Sequence, residues 1–292
     1  MSIAAPLRAR AEAEAARFPA LLARAEQLAG TVLLGEHGRR RAGMGDDFWQ
    51  YRPVQAGDEL RFVDWRRSAR SDSQFIRQRE WQIAQSVVIW VDNAASMRFA
   101  SDQKLPEKSD RARLLALAVA ILLNRAGERI GLAGIGLPPR RGEAQLMRLA
   151  EALTRESDED YGRPDASGMA AHGRALFISD FMGDISAART ALTTAADRGV
   201  QGVLCQVLDP AEEAFPYRGR TIFESVGGTL AHETLKASEL RDRYLARLAE
   251  RKAELRTLCA RTGWQFTTHH TSASAQSALL WLYTAFDGGH GR

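Results

Sequence analysis

One strand-to-loop junction combines side-chain types at a spacing that suits chemistry. Val87, Val88, Ile89, Trp90 and Val91 form an unbroken apolar run, the pattern of a strand covered on both faces. Asp92 follows at its carboxyl end, then Asn93, Ala94, Ala95 and Ser96. In open α/β sheets ligands gather just beyond the carboxyl ends of strands. A carboxylate and a hydroxyl four residues apart on a tight loop suit a hard, oxygen-seeking cation such as Mg²⁺.

Other chemistry finds little purchase. The sequence has no G-x-x-x-x-G-K-[ST] phosphate loop, so it is not expected to hydrolyse ATP itself. It has no G-x-S-x-G elbow and no H-E-x-x-H helix. Gly131, Gly134 and Gly136 lie in an expected strand that runs into Pro138-Pro139, unlike a dinucleotide fingerprint, which opens a helix. His269-His270 falls just past an expected strand, and Asp158 and Asp160 sit in an expected loop that is poor support for general acid–base work.

A second dense segment lies upstream, GDELRFVDWRRSAR over residues 57–70. Asp58, Arg61, Asp64 and Arg70 are expected to form carboxylate–guanidinium pairs that fix a small β-rich extension, with Trp65 packed beneath. The alternative is a basic surface: Trp65, Phe75 and Trp81 interleave with Arg66, Arg67, Arg77 and Arg79, a pattern that suits single-stranded nucleic acid.

These two segments together resemble a known family. Gly57, Asp58, Arg61, Asp64, Trp65, Ser68, Ala69 and Arg70 match the P-G-D-x-x-R-x-I-D-W-x-x-S-A-R block of the bacterial "domain of unknown function 58" family. Asp92-x-Ala94-x-Ser96 resembles the D-x-S-x-S signature of von Willebrand factor A-like domains. Their metal-ion-dependent adhesion site binds a partner's carboxylate through Mg²⁺. The resemblance implies a degenerate metal site of Asp92, Ser96 and Asp180, the last heading DFMGD after the apolar run LFIS. It lacks the middle serine, which is Ala94, and its only intervening threonine is Thr154, inside an expected helix. Ser157, Asp158 and Ser167 are the nearby substitutes. Mg²⁺ or Mn²⁺ is the implied cofactor; the alternative is that Asp92 and Asp180 cap the following helices. The implied partner is a MoxR-type AAA+ ATPase, with other von Willebrand A-like proteins as further partners.

Positioning these loops requires a large sheet. From Gln85 onward, strand patterns at 86–91, 129–136, 174–179, 202–208 and 264–268 alternate with helical patterns at 109–127, 143–156, 185–198, 238–262 and 273–286. That alternation predicts an α/β fold, a doubly wound, mostly parallel sheet with helices on both faces; the family resemblance implies that this sheet is von Willebrand A-like. Ahead of it come an amphipathic helix within 1–34 (Phe18, Leu21, Leu22, Ala25 and Leu28 at helical spacing) and a β-rich extension over 35–84. The main domain spans 85–288. Residues 221–232 read as a hairpin turning at Gly227-Gly228, and 157–172 as an acidic, mobile loop.

Composition agrees with a globular protein. Apolar residues make up 45% of the 292 and charged ones 26%, with a net charge of +4, too small to demand an anionic partner. Cys205 and Cys259 lack C-x-x-C neighbours and are expected to be buried thiols in a reducing compartment. The longest apolar run, Leu114–Leu123, is shorter than the roughly 20 residues a membrane helix needs. The expected location is the cytoplasm. The expected function is a non-enzymatic interaction module; the alternatives are a metal-dependent phosphoesterase or nuclease using Asp92 and Asp180, or a nucleic-acid-binding module.

Overall fold

The computed structural model describes residues 19–32, 48–54, 63–70, 73–79, 85–219, 221–224, 231–234 and 237–287. Gly57, Asp58, Arg61, Phe18, Trp81 and Gly227-Gly228 lie outside the described residues. The chain divides into two compact units, His37–Ala84 and the remainder, in which the stretch up to Glu36 joins Gln85–Arg292.

The larger unit is built on a six-stranded sheet. Its strands are β3 (Ser86–Val91), β4 (Arg129–Leu132), β5 (Leu137–Arg140), β6 (Arg174–Ser179), β7 (Gln201–Leu208) and β10 (Gln265–His270), in spatial order β10-β7-β6-β3-β4-β5. All pairs are parallel except β4–β5. The strands β8 (Thr221–Glu224) and β9 (Ala231–Thr234) pair antiparallel as the hairpin expected over 221–232. Residues 129–136, expected as one strand, make only β4 before a turn, and Leu-Pro-Pro-Arg forms β5 instead. Proline cannot donate to a ladder, and β5 tolerates two of them because it is the edge strand. His269 and His270 are the last residues of β10 rather than loop residues.

Alternating side chains divide the core between the two faces of the sheet. Val87 and Ile89 of β3, Leu176 and Ile178 of β6, and Val203 and Val207 of β7 face one cluster. There they pack against α1 (residues 19–32), α3 (Lys108–Arg125), α4 (Glu143–Leu153) and α8 (Ala275–Asp287). Val88, Trp90, Ala175, Phe177 and Leu204 face the other, with α5 (Ile185–Asp197) and α7 (Ala237–Thr262). The apolar run Leu114–Leu123 is the body of α3 and is buried all round. Each fully buried leucine or isoleucine there contributes roughly 2–3 kcal/mol. Among the described residues no helix is long and apolar enough to cross a membrane. Cys205 and Cys259 are both buried and unpaired, and burial pushes each thiol up to about 12.

The smaller unit holds an antiparallel pair, β1 (Phe48–Pro53) and β2 (Phe75–Arg79), and a helical turn, α2 (Trp65–Ser68), where only strands and turns were expected. Asp64 explains α2: its carboxylate accepts the Arg67 N–H at 3.0 Å, an N-cap. Ser68 Oγ donates to the Asp64 carbonyl at 2.8 Å and accepts the Phe75 N–H at 2.9 Å. Trp65 is 57% exposed, so it does not pack beneath the block. It is the first residue of a four-residue turn that buries none of its side chains.

Candidate functional site

The sheet has a topological switch point at β3 and β6. These neighbours send their following helices, α3 and α5, to opposite faces, which leaves a crevice beyond their carboxyl ends. Asp92 and Asp180 are the first residues past the two strands, and the Asp92 N–H donates to the Ile178 carbonyl at 2.9 Å. Ser96 sits on the following 3₁₀ turn, Ala95–Met97. The fold therefore brings Asp92, Ser96 and Asp180 to one crevice, all of them buried.

Asp92 is held from three sides. Its Oδ1 accepts the Ala94 N–H at 2.9 Å, its Oδ2 accepts the Ser179 hydroxyl at 2.6 Å, and the Gly162 N–H also donates to it. Burial pushes the Asp92 carboxyl above its ordinary range, the Ser179 hydroxyl opposes that rise, and the nearby Asp180 adds to it. Ser179 Oγ in turn accepts the Phe181 N–H at 2.9 Å, and Phe181 takes the left-handed conformation at φ 52°. A Cβ on Gly162 would lie 2.3 Å from Asp92 Oδ1, so only glycine fits there.

The 157–172 segment, expected to be a mobile loop, is laced to this junction. Ala95 and Ser96 donate their N–H groups to the Glu159 and Asp160 carbonyls at 2.8 and 3.0 Å, and Ser157 N–H donates to the Asn93 carbonyl at 3.0 Å. Ala166 and Met169 anchor its far end in the core.

The residue that organises the crevice is Lys108, at the first turn of α3. Its side chain is 2% exposed, and Nζ lies 2.9 Å from Asp180 Oδ2 and 2.6 Å from Glu212 Oε1. Asp180 Oδ1 accepts the Met182 N–H at 3.0 Å, so both of its oxygens have protein donors. Glu212 is fixed by the capping box of α6 (Pro210–Ala214): Asp209 caps the helix and the Asp209 N–H donates back to Glu212 Oε2 at 2.8 Å. Burial works against the Lys108 ammonium, but the two carboxylates outweigh it and hold its pKa above the ordinary lysine value.

Above Lys108 opens a cavity of about 750 Å³. Phe99, Tyr161, Phe215 and Tyr244 give it aromatic walls, and Arg98, Arg247 and Arg251 also line it. Burial, with Glu212 close by, pushes the Tyr244 hydroxyl up to about 12, so it stays a neutral donor. Ser96 also lines the cavity, and its buried hydroxyl has no hydrogen-bond partner. Arg251 reaches back to the loop after β6, donating to the Phe181 and Gly183 carbonyls at 3.1 and 2.7 Å.

A divalent cation does not suit this donor set. The carboxylates a metal would take are already bonded by Lys108, Met182, Ser179, Ala94 and Gly162. Ala94 offers no oxygen on its side chain. Thr154 turns back to the Glu151 carbonyl at the end of α4, Ser157 Oγ accepts the Glu159 N–H, and the Ser167 hydroxyl bonds Asp165. Lys108 and Ser179 escaped the sequence reading. Asp-Pro-Ala-Glu at 209–212 carries a capping signature, but nothing local links it to Lys108, 104 positions away.

The family described as "Protein of unknown function DUF58" matches residues 50–254. Uncharacterized proteins of Mycobacterium bovis and Mycobacterium tuberculosis are each 26% identical to the chain over 243 residues, 77% of this chain and 74% of theirs. Among solved structures, the conserved hypothetical protein BatB from Bacteroides thetaiotaomicron overlays with a TM-score of 0.39 at 15% identity, covering 70% of this chain and 100% of its own. An aerotolerance-related membrane protein from Bacteroides fragilis gives the same values.

Proposed function

This chain belongs to the DUF58 family, and from that premise we propose that it is a non-enzymatic, von Willebrand A-like interaction module that serves as an adaptor for a MoxR-type AAA+ ATPase in assembling or maturing protein complexes. The contact surface is the set of loops beyond β3 and β6. The observation that carries this reading is the cavity of about 750 Å³ at the switch point, whose lining includes Arg98, Arg247 and Arg251 together with Tyr161, Tyr217 and Tyr244. Both strand-end carboxylates are engaged by donors from their own fold, which supports binding over acid–base or metal-assisted chemistry. Affinity capture tests the reading: the unmutated protein retains an AAA+ ATPase, and Arg247→Glu at the rim loses it. Failure of the unmutated protein to retain any AAA+ ATPase overturns it.

One observation favours a second contact surface. Trp65 is 57% exposed, and Arg66 and Arg67 beside it are exposed as well. Salt-sensitive binding of single-stranded DNA or RNA, lost in Arg66→Gln/Arg67→Gln, would assign that turn to nucleic acid. The expected result is no more affinity than an unrelated basic protein shows, which leaves the turn to a protein partner.

A further inference from the structure

We propose that the Lys108 ammonium, held on Asp180 in the crevice beyond β3 and β6, serves as a built-in cation in place of a metal, and that it and Ser96 receive a carboxylate from an acidic segment of the partner without any divalent ion. The proposal rests on the interaction reading above and adds to it the chemistry of the contact.

Three observations converge on it. The first is placement: Lys108 Nζ lies on Asp180 Oδ2 at 2.9 Å and on Glu212 Oε1 at 2.6 Å, with the side chain 2% exposed. A lysine in the first turn of a helix opposes the helix dipole, and lysine is almost never buried unless paired. An ammonium has three N–H groups, and these two contacts leave one without a hydrogen-bond acceptor, with the centroid of the Phe99 ring 5.7 Å from Nζ. The second is the Ser96 hydroxyl, buried at the cavity wall with no partner although buried polar groups are nearly always satisfied. The third is charge: Arg98, Lys108, Arg247 and Arg251 line the cavity with the two carboxylates Asp180 and Glu212, and with Arg98 paired to Glu156 at 3.5 Å the excess of positive charge rests on Arg247 and Arg251.

These features select an acidic side chain. Its carboxylate has two oxygens, one for the free Lys108 N–H and one for the Ser96 hydroxyl, and its aliphatic stem suits walls made of Phe99 and Phe215. A phosphate group would bring a second negative charge toward Asp180 and Glu212. Arg247 and Arg251 on α7 then meet neighbouring acidic residues at the rim.

The test is anisotropy with a labelled oligoglutamate peptide and its oligoglutamine twin, in EDTA and in millimolar Mg²⁺. The glutamate peptide is expected to bind more tightly than the glutamine one and equally in both buffers. Lys108→Met weakens it at least about tenfold. Ser96→Ala, which deletes a hydroxyl with no partner in the fold, weakens it several-fold at an unchanged melting temperature; this variant decides the matter if Lys108→Met does not fold. Binding that requires Mg²⁺, binding unaffected by Ser96→Ala, or equal binding of the two peptides overturns the proposal. Peptide binding through Ser96 with no AAA+ ATPase captured overturns the adaptor reading alone. Capture of the ATPase by Ser96→Ala and the unmutated protein alike overturns this inference alone.

Discussion

Lys108 and Asp180 form an ion pair at 2.9 Å in which the two side chains are 2% and 1% exposed, and it ties the start of α3 to the loop after β6. Removing one member of such a pair strands the other in a dry site. Lys108→Met is expected to lower unfolding free energy by about 3–5 kcal/mol. Lys108→Met/Asp180→Asn is expected to recover part of that loss, since Glu212 still lacks its ammonium partner. Denaturant titration of the two single variants and the double one measures the coupling. A Lys108→Met cost no larger than that of an exposed pair, under about 1 kcal/mol, contradicts the assigned geometry.

Gly162 carries a different constraint. Its missing side chain lets the 157–172 loop rest on Asp92, because a Cβ would stand 2.3 Å from Oδ1. Gly162→Ala is expected to destabilise by about 1–3 kcal/mol through overpacking. The control is Gly30→Ala within α1, where nothing lies within 4 Å of the added carbon. That change is expected to stabilise by up to about 1 kcal/mol, since alanine is the better helix former. Equal effects of the two substitutions would show that the loop does not press on Asp92.

His269 sets a pH dependence. Burial, then the charges of Arg111 and His270, push its pKa down to about 4, and Arg111 Nη1 lies 2.9 Å from its Nε2. The folded state therefore keeps His269 neutral while an unfolded chain protonates it near pH 6.5. Between those values the unfolded state holds more protons, so stability rises with pH across the window and falls as pH drops from about 6.5 to about 4. The loss amounts to about 3 kcal/mol at most. His269→Gln is expected to flatten that part of the profile; an unchanged slope would locate the titration elsewhere.

How much of this was legible in the sequence follows from how local each feature is. The apolar run Val87–Val91 and the run LFIS announced β3 and β6, and with them the placement of Asp92 and Asp180 at strand ends. Continuous hydrophobicity is a property of a few neighbouring residues. Leu-Pro-Pro-Arg read as an ending because proline breaks ladders, yet at an edge its missing N–H costs nothing, and it became β5. Trp65 read as core because tryptophan usually is, but a four-residue turn has no face to bury. The pairing of Lys108 with Asp180 and Glu212 spans 72 and 104 positions and depends on strand order, which no local pattern encodes.

The most direct measurement is quantitative capture of an AAA+ ATPase, with Mg²⁺-ATP present throughout, on the unmutated protein, Arg247→Glu and Lys108→Met, each verified as folded. The ATPase is expected on the unmutated protein and lost from both variants, because both remove cations from the one cavity at the switch point. Equal recovery on all three, or none on the unmutated protein, contradicts a partner site at that cavity.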